Sequence, residues 1–95
     1  DTEFAFHGIL TAEITKEKGI DAIDEDMKSQ IKGVVKQLVA MMDEATEIVD
    51  FFQKWDEQRR VRRNIKRTII EEFNQEKLVK PITDRFMELA EVKFR

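Results

Sequence analysis

The chain has 95 residues, 39% charged and 41% hydrophobic, with a formal net charge of −3 and no cysteine. That length suits one small domain with one modest core, and the apolar share is too high for a disordered chain. Disulfides and thiolate metal sites are excluded, and the net acidity argues against polyanion binding by the surface as a whole. The first residues, "DTEFAFHGIL", carry no basic region and no cleavage pattern, so they do not read as a signal peptide. No apolar run approaches the roughly 20 residues of a membrane helix. The start without Met leads us to expect a piece of a longer polypeptide or a processed chain, and the missing cysteines suit a reducing, cytoplasmic setting.

Apolar spacing carries most of the information. Phe6, Leu10 and Ile14 recur four apart and predict a first helix. Thr2 is its expected cap, Glu3 favours its positive end, and Gly19 in "KEKG" closes it in a left-handed conformation. Met27, Ile31, Val34, Leu38, Met41, Ala45, Ile48 and Phe52 then alternate steps of four and three, a heptad seam. A helix carrying all of it runs about 28 residues, roughly 40 Å at 1.5 Å per residue. Asp21 or Asp24 caps its start, and the acids of "DAIDED" sit at its positive end. Gly33 lies inside and weakens it by up to about 1 kcal/mol relative to Ala. Val35, Val39 and Met42 widen the stripe beyond what a two-stranded seam needs, which predicts several neighbours.

"VDFFQKW" places Phe51, Phe52 and Trp55 close together and predicts a bend sealed by these aromatics. Asp56 is the expected cap of a third helix. Along that helix Val61, Ile65, Ile69 and Phe73 form a ladder on one side. Arg59, Arg60, Arg63, Lys66 and Arg67 lie on the other, with Arg62 at the boundary and Ile70 as the apolar exception. "NQEK" reads as its frayed end, and Pro81 suits the first turn of a fourth helix faced by Ile82, Phe86, Leu89 and Val92 or Lys93. No repeat, low-complexity tract or linker divides the chain. The expected fold is all-α: a single four-helix domain over residues 1–95, with the long second helix as its spine.

Chemistry-bearing motifs are sparse. His7 is the sole histidine and has no ligand-spaced partner, so it reads as a half-buried aromatic beside Phe6. Asp21, Asp24, Glu25 and Asp26 lack the alternate spacing, central Gly and distal Glu of a calcium loop and read as a charged helix start. Asp43, Glu44, Glu47 and Asp50 read as a solvated face or as a counter-surface for the arginines. There is no P-loop, dinucleotide-binding glycine pattern or nucleophile elbow, and no carboxylate pair stands out. These residues by themselves are not expected to form an enzyme, a metal site or a cofactor site.

The distinctive feature is the run Arg59–Arg67, six cations in nine residues with no acid among them. Three readings stay open. It is a solvated face partly neutralised by Asp56 with Arg60 and by Arg67 with Glu71. It docks against an acidic protein surface. Or it contacts phosphate, which favours the bidentate arginine fork. The candidate contact residues are Arg59, Arg60, Arg63, Lys66 and Arg67.

These stretches resemble one known family. "WDEQRRVRRNIKRTIIEEF" resembles the last block of the motor, or restriction, subunit of type I restriction–modification enzymes, which reads like D-W-x-x-x-x-x-[VR]-R-A-x-[LM]-R-R-x-[IV]-K-R-[LI]-L. Trp55, Val61, Arg62, Ile65, Lys66, Arg67, Ile69 and Ile70 carry the likeness. "EFAFHGIL" is similar to that family's E-L-A-F-Y-D-A-L, with His7 at the Tyr position, and "DMKSQIKGVVKQLVAMM" is similar to its long amphipathic helix. Lys54 and Arg63 stand where the family block carries Asp and Ala, and the family's G-Y-P ending is replaced by "NQEKLVKPITDRF".

The resemblance implies a C-terminal helical domain. In that family it follows a nuclease domain and two ATP-driven DNA translocase domains, and holds the subunit on the methyltransferase core. ATP, Mg and the type I deoxyribonuclease activity would then belong to other parts of the parent subunit. The partners implied are methyltransferase (modification) subunits and the neighbouring motor domain, with DNA contact weak at best and no membrane. The alternatives are an unrelated or self-associating helical bundle, with the second helix's heptads as dimer seam, and a small DNA-binding helical domain.

Overall fold

A computed structural model of the chain describes residues 2–94. Four helices follow in order: α1 (Thr2–Lys18), α2 (Glu25–Ala45), α3 (Trp55–Phe73) and α4 (Glu76–Lys93). Short 3-10 turns occupy the first two connections, Ile20–Ala22 and Phe51–Gln53, and no strand occurs among the described residues. The all-α, four-helix expectation therefore holds.

α1 buries Phe6, Leu10 and Ile14 as its spacing predicts, and Ile9 and Glu13 besides. Thr2 lies inside the helix rather than capping it. Gly19 ends α1 and donates its N–H to the Thr15 carbonyl at 2.8 Å. Its φ of 91° is the positive value expected, but its ψ of 161° is extended rather than left-handed helical. The chain leaves α1 directly into the Ile20–Ala22 turn, and only glycine takes that backbone without strain.

Asp24 is the cap of α2: its Oδ1 accepts from the Met27 N–H at 2.8 Å. α2 stops at Ala45 and is 21 residues long, shorter than the heptad pattern suggests. Thr46 closes it, donating both its N–H and its hydroxyl to the Met42 carbonyl at 2.9 and 2.8 Å. The chain then turns through Asp50 at φ 58°. Ile48 and Phe52 therefore reach the core from the connection, not from a continued helix. Within α2 the buried set is Ile31, Val34, Val35, Leu38 and Met42, with Met41 only partly covered. A straight helix drifts about 20° per heptad from a 3.5-residue repeat, so the core line passes from the expected Met41 to Met42. The wide stripe faces two neighbours, α1 and α3.

Asp56 does not cap α3; the helix begins at Trp55, and Asp56 and Glu57 supply acid in its first turn. The ladder on α3 is buried as expected: Val61, Ile65, Ile69 and Phe73 keep 8%, 0%, 0% and 7% of their surface. "NQEK" is not a frayed end. Asn74 is a left-handed C-cap at φ 49° whose N–H reaches the Ile70 carbonyl at 2.9 Å, and Glu76 already opens α4. Pro81 consequently sits inside α4, past its first turn. Its missing N–H leaves the Lys77 carbonyl without a helical partner, at a cost of about 3 kcal/mol in a helix interior. Burial of Leu78 and Ile82 on either side, to 1% and 0%, holds the segment helical while Pro81 itself faces solvent. Val92 is 75% exposed and is not part of the core face, which consists of Leu78, Ile82, Phe86, Met87 and Ala90 with Leu89 partly covered.

The helices form a ring in which α1 adjoins α2 and α4, and α3 adjoins the same two. Neighbours run antiparallel. The end of α1 meets the start of α4 through Glu17–Lys77 at 3.8 Å. Further along the same pair, Glu13–Arg85 pair at 2.7 Å, and Phe6 stacks on Phe86 at 4.2 Å between ring centres. The Gln30 side chain of α2 donates to the Glu72 carbonyl of α3, and Arg62 of α3 pairs with Asp84 of α4. Short connections dictate this up-and-down order.

Two stability measurements test this architecture. Ile65→Asp places an unpaired charge at a site with no exposed surface and is expected to unfold the domain, whereas Ile70→Asp, at a position 39% exposed, keeps its helicity and melts near wild type. Gly33 is solvent-facing in the middle of α2, and a Cβ built there meets no atom within 4 Å. Gly33→Ala is expected to raise stability by about 0.5–1 kcal/mol in denaturant melts.

Candidate functional site

The candidate contact residues share one surface because of the ladder beneath them. At 3.6 residues per turn, Lys66, Arg59, Arg63, Arg67 and Arg60 fall within an arc of about 120°, opposite the buried residues. All five are exposed.

Neutralisation of this ridge is slight and differs from the expected pairs. Arg60 Nη1 lies 3.7 Å from Glu57 Oε2 rather than pairing with Asp56. Arg67 Nη2 donates to Asn64 Oδ1 at 3.4 Å rather than meeting Glu71. In each case the partner is three residues back along α3, on the adjacent helical turn. Arg59 sits over the Trp55 ring at 5.6 Å. Among the described residues no acid forms an ion pair with Arg59, Arg63, Lys66 or Arg67.

The ridge has two different edges. Arg62, at the boundary as predicted, is half-buried and pairs with Asp84 of α4, which also accepts from Lys80 Nζ at 2.8 Å. The hydrogen bond from the Lys80 ammonium, then that from the Arg62 guanidinium, holds the Asp84 carboxyl below its ordinary 3.8, against a smaller upward push from partial burial. On the opposite edge Arg60 and Asn64 face Glu44 and Glu47 across a groove of about 470 Å³ between α2 and α3. Asp43, Glu44, Glu47 and Asp50 are all exposed. They make no ion pair with the ridge among the described residues, so these four acids do not cover it.

Trp55 departs from expectation. Phe51 is buried and Phe52 half-buried, as aromatics sealing a bend should be, but Trp55 is 68% exposed at the first position of α3. It forms one wall of a groove of about 460 Å³ between α3 and α4, with Phe52, Arg59, Arg62, Met87, Glu88 and Glu91 around it. Spacing gave no signal for it: eighteen residues, five whole turns, separate Trp55 from the buried Phe73, so both share one azimuth on α3.

The remaining candidates have structural roles. His7 Nδ1 lies 3.3 Å from the Thr11 hydroxyl one turn on. Asp24 is occupied as a cap. No group of three His, Cys, Asp or Glu side chains able to hold a metal occurs among the described residues, and no helix there is long and apolar enough to cross a membrane. What the ridge offers chemically is a row of guanidinium forks and one ammonium, suited to carboxylates or phosphates. No protein-family model matches the chain, and no curated protein or solved structure matches it.

The α3–α4 link gives a pH signature. The folded pKa of Asp84 is lowered, so the link stabilises above the ordinary value of 3.8 and is lost as pH falls through the lowered one. Asp84→Asn is expected to melt below wild type at neutral pH, and the gap should close as pH falls below the ordinary carboxyl value of 3.8 and through the lowered one. A gap independent of pH would mean that the carboxylate's charge is not what joins the two helices.

Proposed function

We propose that this chain is a non-catalytic docking domain. In its finer form, it is the helical domain that couples the motor subunit of a type I restriction enzyme to the methyltransferase core. The observation that carries the docking reading is the pairing state of α3: the ladder is buried while Arg59, Arg63, Lys66 and Arg67 stand exposed without an acidic partner among the described residues. Surface charge held this way on a rigid helix gives orientation and specificity to an encounter more than raw affinity.

The finer assignment draws its support from the three similar stretches, which fall on α1, α2 and α3 in the family's order. Under that reading ATP, Mg and the nuclease act elsewhere in a cytoplasmic parent enzyme, and this domain transmits position. The self-associating alternative is weakened by α2: Ile31, Val34 and Leu38, the heart of its heptads, are at most 1% exposed within the domain's own core. A free-standing DNA-binding domain is disfavoured by the net charge of −3.

The triple variant Arg59→Ala/Arg63→Ala/Arg67→Ala is expected to keep wild-type helicity, because all three side chains are exposed. In the parent subunit it should weaken co-purification with the methyltransferase core by about tenfold or more; unchanged recovery of the core would remove the docking role. In gel shifts the isolated domain should bind duplex DNA weakly. Submicromolar binding lost in the triple variant would move the assignment to nucleic acid.

A further inference from the structure

The docking reading leaves open what the partner presents, and the α3–α4 groove constrains it. We propose that this groove receives an amphipathic, acid-flanked helix of the partner protein, anchored on Trp55. The proposal rests on the docking role assigned to α3 and specifies the occupant.

Three features carry it. The first is apolar surface in the groove. Phe52 and Met87 lie beneath, while Trp55 is 68% exposed. Tryptophan and arginine are the residues that most often dominate protein contacts.

The second feature is preorganisation. Asp84 engages Arg62, which ties the two walls of the groove together. Arg59 stands over the Trp55 ring at 5.6 Å, so the indole and a cation are presented as one unit. Little side-chain freedom then remains to be lost on binding.

The third is charge asymmetry, which selects between partner classes. The α3 wall is cationic through Arg59, with Arg63 and Lys66 beyond it. The α4 lip carries Glu88 and Glu91. A nucleic-acid strand lying in the groove would bring phosphates against those carboxylates. A polypeptide helix can meet both walls, with acids on the flank toward α3, neutral or basic residues toward α4, and an apolar stripe at i, i+3/i+4 and i+7 over Trp55 and Met87.

The test uses the 95-residue chain and peptides selected against it from a displayed random library. Trp55 is the chain's sole tryptophan, so its fluorescence reports the groove directly. Enriched peptides should carry an acid-flanked helical apolar stripe and shift Trp55 emission. Their affinity, read by anisotropy of the labelled peptide, should fall on the order of tenfold or more in Trp55→Ala and fall in Glu88→Lys when the peptide's opposite flank is basic. Circular dichroism of each variant checks the fold. Peptides that lose binding in Arg63→Ala/Lys66→Ala but not in Trp55→Ala would overturn the groove and leave the ridge as the docking face. Peptides insensitive to every one of these variants would overturn both. A single-stranded oligonucleotide that quenches Trp55 with a steep salt dependence, where no peptide does, would overturn the proposal in favour of nucleic acid.

Discussion

Burial of the Val61–Ile65–Ile69–Phe73 ladder against α2 and α4 governs this molecule's surface. Those four side chains step four residues at a time along α3 and are almost wholly withdrawn from water. Removing their apolar area stabilises the domain by roughly 1.5–3 kcal/mol per side chain. The same rotation sends Arg59, Arg60, Arg63, Lys66 and Arg67 outward. A guanidinium cannot be buried unpaired without a large desolvation penalty, so the alternative rotation of α3 is closed twice over. The basic ridge is thus a consequence of the core, held rigid by it.

Around that ladder the polar groups sort by how far they lie from water. Glu13 keeps only 6% of its side-chain surface and has Arg85 at 2.7 Å and Lys16 at 3.9 Å, so a nearly buried carboxylate is compensated across the α1–α4 seam. Asp84, a third exposed, serves as a hinge point for two cations, Lys80 on its own helix and Arg62 on the next. Of the ridge cations, Arg60 lies near Glu57, and Arg59, Arg63, Lys66 and Arg67 have no carboxylate partner among the described residues. An acidic chain therefore carries one narrow cationic strip on its third helix, and that contrast gives the domain a preferred orientation toward whatever it meets.

The groove beside the ridge extends the same logic. Arg62 turns in toward α4 and Arg59 turns over Trp55. The aromatic is thereby left at the surface next to unpaired charge, while Phe51 and Phe52 take over closure of the bend. Apolar anchor and cationic flank lie within one helical turn of each other, the arrangement that peptide-binding helical surfaces use for affinity and register.

Periodicity alone determined that the chain is all-helical, that Phe6, Leu10 and Ile14 of α1 and the ladder of α3 face the core, and that the arginine-rich strip is external. Core burial follows helical phase, and phase is written in the spacing of Phe6, Leu10 and Ile14 and of Val61, Ile65, Ile69 and Phe73. The ends of elements were less legible. α2 stops at Ala45, where Thr46 caps it, although the heptads continue; α4 starts at Glu76 and runs through Pro81, against local preference. Both departures are packing decisions. Ile48 and Phe52 cover the core from a loop, and burial of Leu78 and Ile82 outweighs the helix-breaking proline. The exposure of Trp55, the Arg62–Asp84 link and the groove between α3 and α4 required the tertiary structure, because each depends on which helix lies beside α3, and no spacing within a single helix encodes its neighbour.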